Sequence, residues 1–197
     1  MSQESAAVEQ YRSAVLTTAN QLTILRIIFV PVFLIVLTDG DTGWALAVFV
    51  AAGLTDVLDG VIARRFGQKT SIGAVLDPVA DKLLMTTSII VLSLPQMGFP
   101  NTIPRWLMIL AISRDVFILL VSLLVVLMAG WRSVPKPSPY GKASTFLQVF
   151  TVLAVLYANW MGAPVPQLAI FFFLTGFMTA FSGLHYLITG RKYLGMD

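Results

Sequence analysis

The stretch of sequence that decides the fold is DVLDGVIARRFGQKTSIGAVLDPVAD, which runs from Asp56 to Asp81. Its first part places Asp59 three residues after Asp56, a spacing that puts both positions on one face of a helix. Its second part repeats Gly73, Asp77 and Asp81 every four residues, which again is one face of a helix. Only a short segment separates the two parts. The sequence therefore predicts a helical hairpin on which two acidic faces meet.

The acidic residues of this hairpin predict a metal site. Carboxylates a few ångströms apart must either take up protons or bind cations. The chain has no Cys and a single His, His185, so thiolate sites and zinc sites built on several imidazoles are excluded. Carboxylate oxygens favour Mg²⁺ or Mn²⁺, and four of them favour two ions. Structural ion pairs that tie the helices together are the alternative. The predicted metal ligands are Asp56, Asp59, Asp77 and Asp81.

The composition predicts an all-α integral membrane protein. Of the 197 residues, 57% are hydrophobic and 12% are charged, and the mean hydropathy is +0.83. A soluble domain carries about a quarter charged residues, so lipid must cover much of this surface. Six apolar stretches are long enough to cross a bilayer of about 30 Å. The predicted spans are Asn20–Thr38, Trp44–Arg65, Gly73–Leu94, Pro104–Ala129, Gly141–Met161 and Gln167–Thr189.

The ends and loops of the chain predict its orientation. Residues 1–18 are expected to form an amphipathic helix along the membrane interface, ahead of one six-helix domain over residues 19–197. Basic residues cluster in the loops after the second, fourth and sixth spans, which predicts that both termini and the acidic hairpin loop face the cytoplasm. Glu4 and Glu9 precede any apolar run, which is untypical of a cleaved signal peptide. The expected location is a bacterial cell membrane.

The stretch from Asp56 to Asp81 resembles the signature of the CDP-alcohol phosphatidyltransferase family, D-x2-D-G-x2-A-R-x8-G-x3-D-x3-D. All eight fixed positions match, including the gap of eight residues between Arg64 and Gly73. The resemblance extends over most of the chain, because family members also have six spans and an interfacial N-terminal helix. It implies a homodimer as well. Nothing in the sequence points to nucleic acid.

The resemblance implies that CDP-diacylglycerol donates a phosphatidyl group and that CMP leaves. It implies that Asp56 bridges two Mg²⁺ ions, with Mn²⁺ as the alternative ion, and that Asp59 and Asp77 complete the coordination. Asp81 is expected to contact the second metal and to act as general base on the acceptor hydroxyl. The positions expected to bind the CDP-lipid are Asn20, Thr23, Gly60, Ala63, Arg64, Thr70 and Gly73.

Three further polar residues predict the acceptor site. Arg114 and Asp115 lie far from the ends of the fourth span, where an unpaired charge is expensive, so they are expected to face a polar cavity. As sequence neighbours they diverge on a helix, and the structural alternative is that each pairs with a different span. Lys142 begins the fifth span, where it binds an acceptor phosphate or only sets the topology. These basic groups favour a phosphorylated acceptor over free serine, choline or inositol.

The identity of the acceptor follows from a finer resemblance. Two segments, residues 20–26 and 76–82, resemble the branch that contains phosphatidylglycerophosphate synthases and eukaryotic-type cardiolipin synthases. The expected acceptor is glycerol 3-phosphate, because the phosphatidylglycerophosphate synthases are the more widespread of the two groups. The Ser113-Arg114-Asp115 triplet instead resembles the cardiolipin synthases, which makes phosphatidylglycerol the alternative. A divalent-cation transporter is the alternative from another class, since it also places carboxylates inside a helical bundle.

Overall fold

The computed structural model describes residues 18–66, 73–129 and 138–193, and within them every regular element is helical. We name the helices α1 to α6; a short 3-10 helix, Pro95–Met97, lies between α3 and α4. The six helices confirm the predicted elements to within a few residues at nearly every boundary. Their bounds are α1 Thr18–Thr38, α2 Thr42–Phe66, α3 Gly73–Leu92, α4 Arg105–Ala129, α5 Pro139–Trp160 and α6 Leu168–Tyr193. Side chains are described except at 18–24, 26, 56–66, 73–81, 122–126, 128–129 and 189–193.

The chain forms two compact units, Met1–Ser88 and Ile89–Asp197. In the first unit α1 packs against α2, and the rings of Phe33 and Phe49 meet with their centroids 5.8 Å apart. Gly40 makes the tight turn between the helices possible, because its φ of 85° lies in the left-handed region. The Asp41 carboxylate then accepts a hydrogen bond from the Trp44 N–H at 3.2 Å, in the manner of a helix N-cap.

In the second unit, α6 packs against both α4 and α5. The seam between α5 and α6 is polar and buried. Ser144 and Thr179 share a hydrogen bond of 3.0 Å, and Thr151 and Thr175 share one of 2.7 Å. The Gln148 amide donates to the Thr179 hydroxyl at 3.3 Å. Polar residues three or four apart on each helix therefore form a row of two hydrogen-bonded groups along the seam, one at Thr179 and one at Thr175.

The outer faces of these helices are apolar. Phe146 on α5 and Phe173 on α6 are each 70% exposed, and Phe177 is 68% exposed. Buried hydroxyl groups and exposed aromatic rings are the reverse of the distribution that water favours. This distribution fits a surface covered by lipid. Within the described part of the chain, two segments, Pro139–Trp160 and Leu168–Ile188, are long and apolar enough to cross a membrane. The six-span topology and the interfacial helix, which falls almost entirely outside the described residues, stay predictions.

A pair of asparagines joins the loops at the end of the second unit where α5 ends. The Asn159 amide donates to the Asn101 carbonyl at 3.0 Å, while the Asn159 amide oxygen accepts from the Asn101 N–H at 2.8 Å. Asn101 also donates to the Ala163 carbonyl at 2.9 Å and accepts from the Val165 N–H at 2.7 Å. Both asparagines are buried, so they bind the segment before α4 to the turn between α5 and α6.

We expect Asn159→Ala to destabilise the protein, because it leaves the backbone N–H and the backbone carbonyl of the buried Asn101 without partners. The cost is about 1–3 kcal/mol, which lowers the thermal midpoint by about 2–4 °C for each kcal/mol. The measurement is thermal unfolding of the purified protein in detergent. Gln167→Ala is the matched control, since that amide side chain is exposed. Equal midpoints for the two variants would contradict the role of the asparagine pair.

Candidate active site

The predicted metal-binding aspartates lie on α2 and α3. Asp56 and Asp59 fall in the last three turns of α2, and Asp77 and Asp81 fall in the first three turns of α3. The helical path confirms that the residues of each pair, three or four apart, share a helix face. Their side chains lie outside the described residues, so the predicted metal ligands stay predictions. Among the side chains that are described, no three His, Asp or Glu form a group that could hold a metal ion.

For the predicted CDP-lipid residues, the structure likewise describes at most the helical backbone. Thr70 lies between α2 and α3, outside the described residues. The others have a described helical path without described side chains, and their contacts remain predictions. On α1 these are Asn20 and Thr23, on α2 they are Gly60, Ala63 and Arg64, and Gly73 is the first residue of α3.

The chemistry of the acidic set fits hard divalent cations. Four carboxylates on two consecutive helices supply only oxygen ligands, which Mg²⁺ and Mn²⁺ prefer. The chain between Phe66 and Gly73 is short enough to keep the two helix ends within about 25 Å. The residues present are therefore compatible with the predicted pair of metal ions.

The predicted acceptor residues lie in the second unit, where Arg114 in α4 is only 8% exposed. Its Nη1 donates to the Asp115 carboxylate at 2.7 Å. Its Nη2 donates to the Ser182 hydroxyl on α6 at 3.0 Å and to the Gly141 carbonyl on α5 at 3.4 Å. One guanidinium thus joins three helices of the second unit.

The expectation that the Arg114 and Asp115 side chains diverge is wrong. The two groups form an ion pair, with side chains 7% and 12% exposed. Separate burial of the two charges would cost several kcal/mol each, and the long arginine side chain can curve back far enough to avoid it. Arg114 does reach other helices as well, through Ser182 and Gly141.

The first turn of α5 comes close to Arg114. The Ser138 hydroxyl caps this helix by accepting from the Gly141 N–H at 3.0 Å, and Pro139 follows at a position that suits its fixed φ. A Cβ atom at Gly141 would lie 3.1 Å from Arg114 Nη2. Lys142, the third predicted acceptor residue, is the next residue along, and its side chain is exposed.

Among the side chains that the structure describes, two buried nitrogens in this region have no hydrogen-bond partner. They are Nε of Arg114 and Nδ1 of His185. The His185 ring packs on Tyr140 with centroids 4.8 Å apart. An unpaired buried donor on a charged group is unfavourable, and such atoms are frequent where a ligand binds.

Sequence reasoning missed Ser182 and the closeness of Gly141 to Arg114. Ser182 had a detectable signal, because Thr175, Thr179 and Ser182 recur at helical spacing in an otherwise apolar helix. Gly141 had no such signal, since a glycine at the start of a span is equally well explained by a turn.

Comparison with known proteins places the chain in a family. Residues 16–182 match the family described as CDP-alcohol phosphatidyltransferase. A putative cardiolipin synthase of Mycobacterium tuberculosis is 35% identical over 136 residues, which cover 68% of this chain and 62% of that protein. A probable phosphatidylglycerophosphate synthase of the same organism is 35% identical over 145 residues, covering 70% of this chain and 64% of that protein.

A third relative is the cardiolipin synthase (CMP-forming) of Rattus norvegicus, which is 39% identical over 127 residues. The match covers 64% of this chain and 39% of the rat protein. The chain thus spans less than two thirds of the length of the relatives that it matches. The family match covers most of the chain and includes the whole Asp56–Asp81 stretch, and the chain belongs to the CDP-alcohol phosphatidyltransferase family.

Proposed function

We propose that this protein transfers the phosphatidyl group of CDP-diacylglycerol to the hydroxyl of glycerol 3-phosphate, forming phosphatidylglycerophosphate and releasing CMP. The observation that carries the proposal is the complete acidic signature, which lies on two consecutive helices inside the family match. In the reaction, the acceptor oxygen forms a bond to the phosphorus that bears the diacylglycerol. The bond from that phosphorus to the CMP oxygen breaks, and the acceptor proton passes to Asp81.

Different residues have different roles in this reaction. Asp56, Asp59, Asp77 and Asp81 would hold two Mg²⁺ ions, or Mn²⁺ in their place. Metal bound there would offset the negative charge of the diphosphate and so make CMP a better leaving group. Arg64 adds a positive charge beside the diphosphate. The small residues Gly60, Ala63 and Gly73 allow the nucleotide to approach the helix backbones, and Asn20, Thr23 and Thr70 provide its polar contacts.

Arg114, Asp115 and Lys142 bind the acceptor. Arg114 is a buried cation with an unpaired N–H, and a phosphate oxygen is a strong acceptor for such a donor. Lys142 is an exposed cation one residue beyond the carbonyl that Arg114 contacts, so it is available to a phosphate that enters from water. Asp115 fixes the guanidinium through the ion pair.

Phosphatidylglycerol is the second candidate acceptor, in which case the product is cardiolipin. The Arg114–Asp115 ion pair favours it, because a formally neutral pair suits a singly charged phosphodiester better than a doubly charged phosphate monoester. Relatives named cardiolipin synthase match this chain as well as those named phosphatidylglycerophosphate synthase. For either acceptor, we place the reaction at the cytoplasmic face of a bacterial cell membrane, in a homodimer.

The first prediction from the proposed function concerns the reaction itself. Purified protein with CDP-diacylglycerol, Mg²⁺ and glycerol 3-phosphate is expected to release CMP. The measurement is CMP formation, with the lipid product identified by mass spectrometry and with phosphatidylglycerol as the alternative acceptor. CMP release with phosphatidylglycerol alone would assign the protein as a cardiolipin synthase. No release with either acceptor would overturn both assignments.

The second prediction concerns Asp81. Asp81→Asn is expected to lower the rate of CMP release by about 100-fold or more, because the amide cannot accept the acceptor proton. The thermal midpoint is expected to stay close to that of the unchanged protein. Asp39→Asn is the control, since Asp39 is an exposed residue in the turn between α1 and α2. CMP release at the normal rate from purified Asp81→Asn protein would exclude Asp81 as the base.

The third prediction separates the enzyme from the cation transporter. Removal of divalent metal by EDTA is expected to abolish CMP release, and added Mg²⁺ is expected to restore it. In sealed vesicles that contain the protein, Mg²⁺ or Mn²⁺ uptake is expected to equal that of empty vesicles. Uptake that depends on the protein, without CMP release under any condition, would favour the transporter instead.

A further inference from the structure

We propose that Ser182 and Gly141 are positioning residues for the acceptor: they hold the Arg114 guanidinium so that its Nε–H group points to an oxygen of the acceptor phosphate. The inference rests on the proposed function, because it takes Arg114 as an acceptor-binding residue. It adds two residues that do not themselves bind the acceptor but determine the direction of the group that does.

The hydrogen bonds of Arg114 leave one particular donor unused. Nη1 donates to Asp115 at 2.7 Å, and Nη2 donates to Ser182 at 3.0 Å and to the Gly141 carbonyl at 3.4 Å. Nε is buried and has no partner. A guanidinium fixed at both terminal nitrogens cannot turn, so the direction of the Nε–H group is set by the same three contacts. A buried, charged donor of this kind is satisfied when a ligand oxygen reaches it.

Gly141 sets how closely α5 approaches Arg114. A Cβ atom there would lie 3.1 Å from Nη2, which is tighter than ordinary van der Waals contact, so an alanine would require the guanidinium or the helix turn to shift by a few tenths of an ångström. The turn itself is held by the Ser138 cap on the Gly141 N–H and cannot move away at no cost. Gly183 provides the contrast on α6, because its Cβ would lie 3.8 Å from Arg114 Cγ, an ordinary contact.

Ser182, on α6, also fixes the direction of the Arg114 guanidinium. Its hydroxyl is the acceptor of the shorter of the two Nη2 bonds, and its side chain is almost fully buried. Ser182→Ala removes that oxygen and leaves Nη2 with only the longer bond to the Gly141 carbonyl, while Nη1 keeps its bond to Asp115. Ser182→Thr keeps the oxygen. Ser144 is a matched control, since it is another buried hydroxyl between α5 and α6 but bonds to Thr179 and not to Arg114.

The test is the steady-state rate of CMP release, measured against acceptor concentration and separately against CDP-diacylglycerol concentration. The acceptor is glycerol 3-phosphate, or phosphatidylglycerol in mixed micelles if only that lipid supports release. Ser182→Ala and Gly141→Ala are each expected to raise the acceptor KM by about 10-fold, the effect of losing a well-directed hydrogen bond to a charged group. The kcat and the KM for CDP-diacylglycerol are expected to change by less than about twofold.

The controls separate positioning from packing. Ser182→Thr is expected to retain an acceptor KM near that of the unchanged protein, and so are Gly183→Ala and Ser144→Ala, although Ser144→Ala lowers the thermal midpoint. An equal rise in acceptor KM for Ser144→Ala, or an equal change in both KM values for Ser182→Ala, would show a structural role and overturn the inference. If Gly141→Ala does not fold, Ser182→Ala decides alone, with Ser182→Cys as the nearly isosteric replacement.

Arg114→Gln tests separately whether Arg114 binds the acceptor, which is the premise of the inference. If Arg114→Gln raises the acceptor KM while Ser182→Ala and Gly141→Ala do not, the acceptor site stands and the positioning role is wrong. If Arg114→Gln leaves the acceptor KM unchanged while CMP release continues, Arg114 is not an acceptor residue and the inference fails with it. A rise in all three variants, with unchanged controls, supports both.

Discussion

Hydrogen bonding between buried polar groups of α5 and α6 is the interaction on which the second unit depends. A lipid environment offers no water to a hydroxyl or amide, so each such group must find its partner within the protein. Ser144, Gln148 and Thr151 on α5 find theirs on Thr175 and Thr179 of α6. Because apolar side chains gain little by leaving lipid for one another, this polar row also determines which faces of the two helices meet.

Arg114 extends the same constraint to a charge. Burial of its guanidinium in an apolar helix bundle is tolerable only because Asp115, Ser182 and Gly141 together satisfy it. The arrangement is incomplete at Nε, which distinguishes this residue from the fully bonded asparagine pair at Asn101 and Asn159. Full satisfaction is the expected state of a structural network, whereas an open donor on a fixed cation is suited to binding.

The acidic stretch Asp56–Asp81 and the contacts of Arg114 represent two kinds of information in the sequence. The acidic residues lie close together along the chain, and helical periodicity alone assigns them to helix faces. The Arg114 contacts join residues 27 and 68 positions apart in sequence, and no periodicity within a single helix predicts them. The ion pair with Asp115 shows the limit most directly: helix geometry separates adjacent side chains by about 100°, but the length and flexibility of arginine and the cost of a lone buried charge overcome that separation.

The sequence by itself determined the six helices, nearly all of their bounds to within a few residues, the apolar surface and the family. Hydropathy, turn residues and the fixed spacing of the Asp56–Asp81 stretch are local properties, and they leave little freedom once lipid is the solvent. Only the tertiary structure decided which polar residues pair across helices, that Gly141 is a contact with Arg114, and that Nε of Arg114 is the donor left over. Those outcomes depend on how α4, α5 and α6 rotate and approach one another, which is set by the sum of many weak contacts and not by any single pattern in the chain.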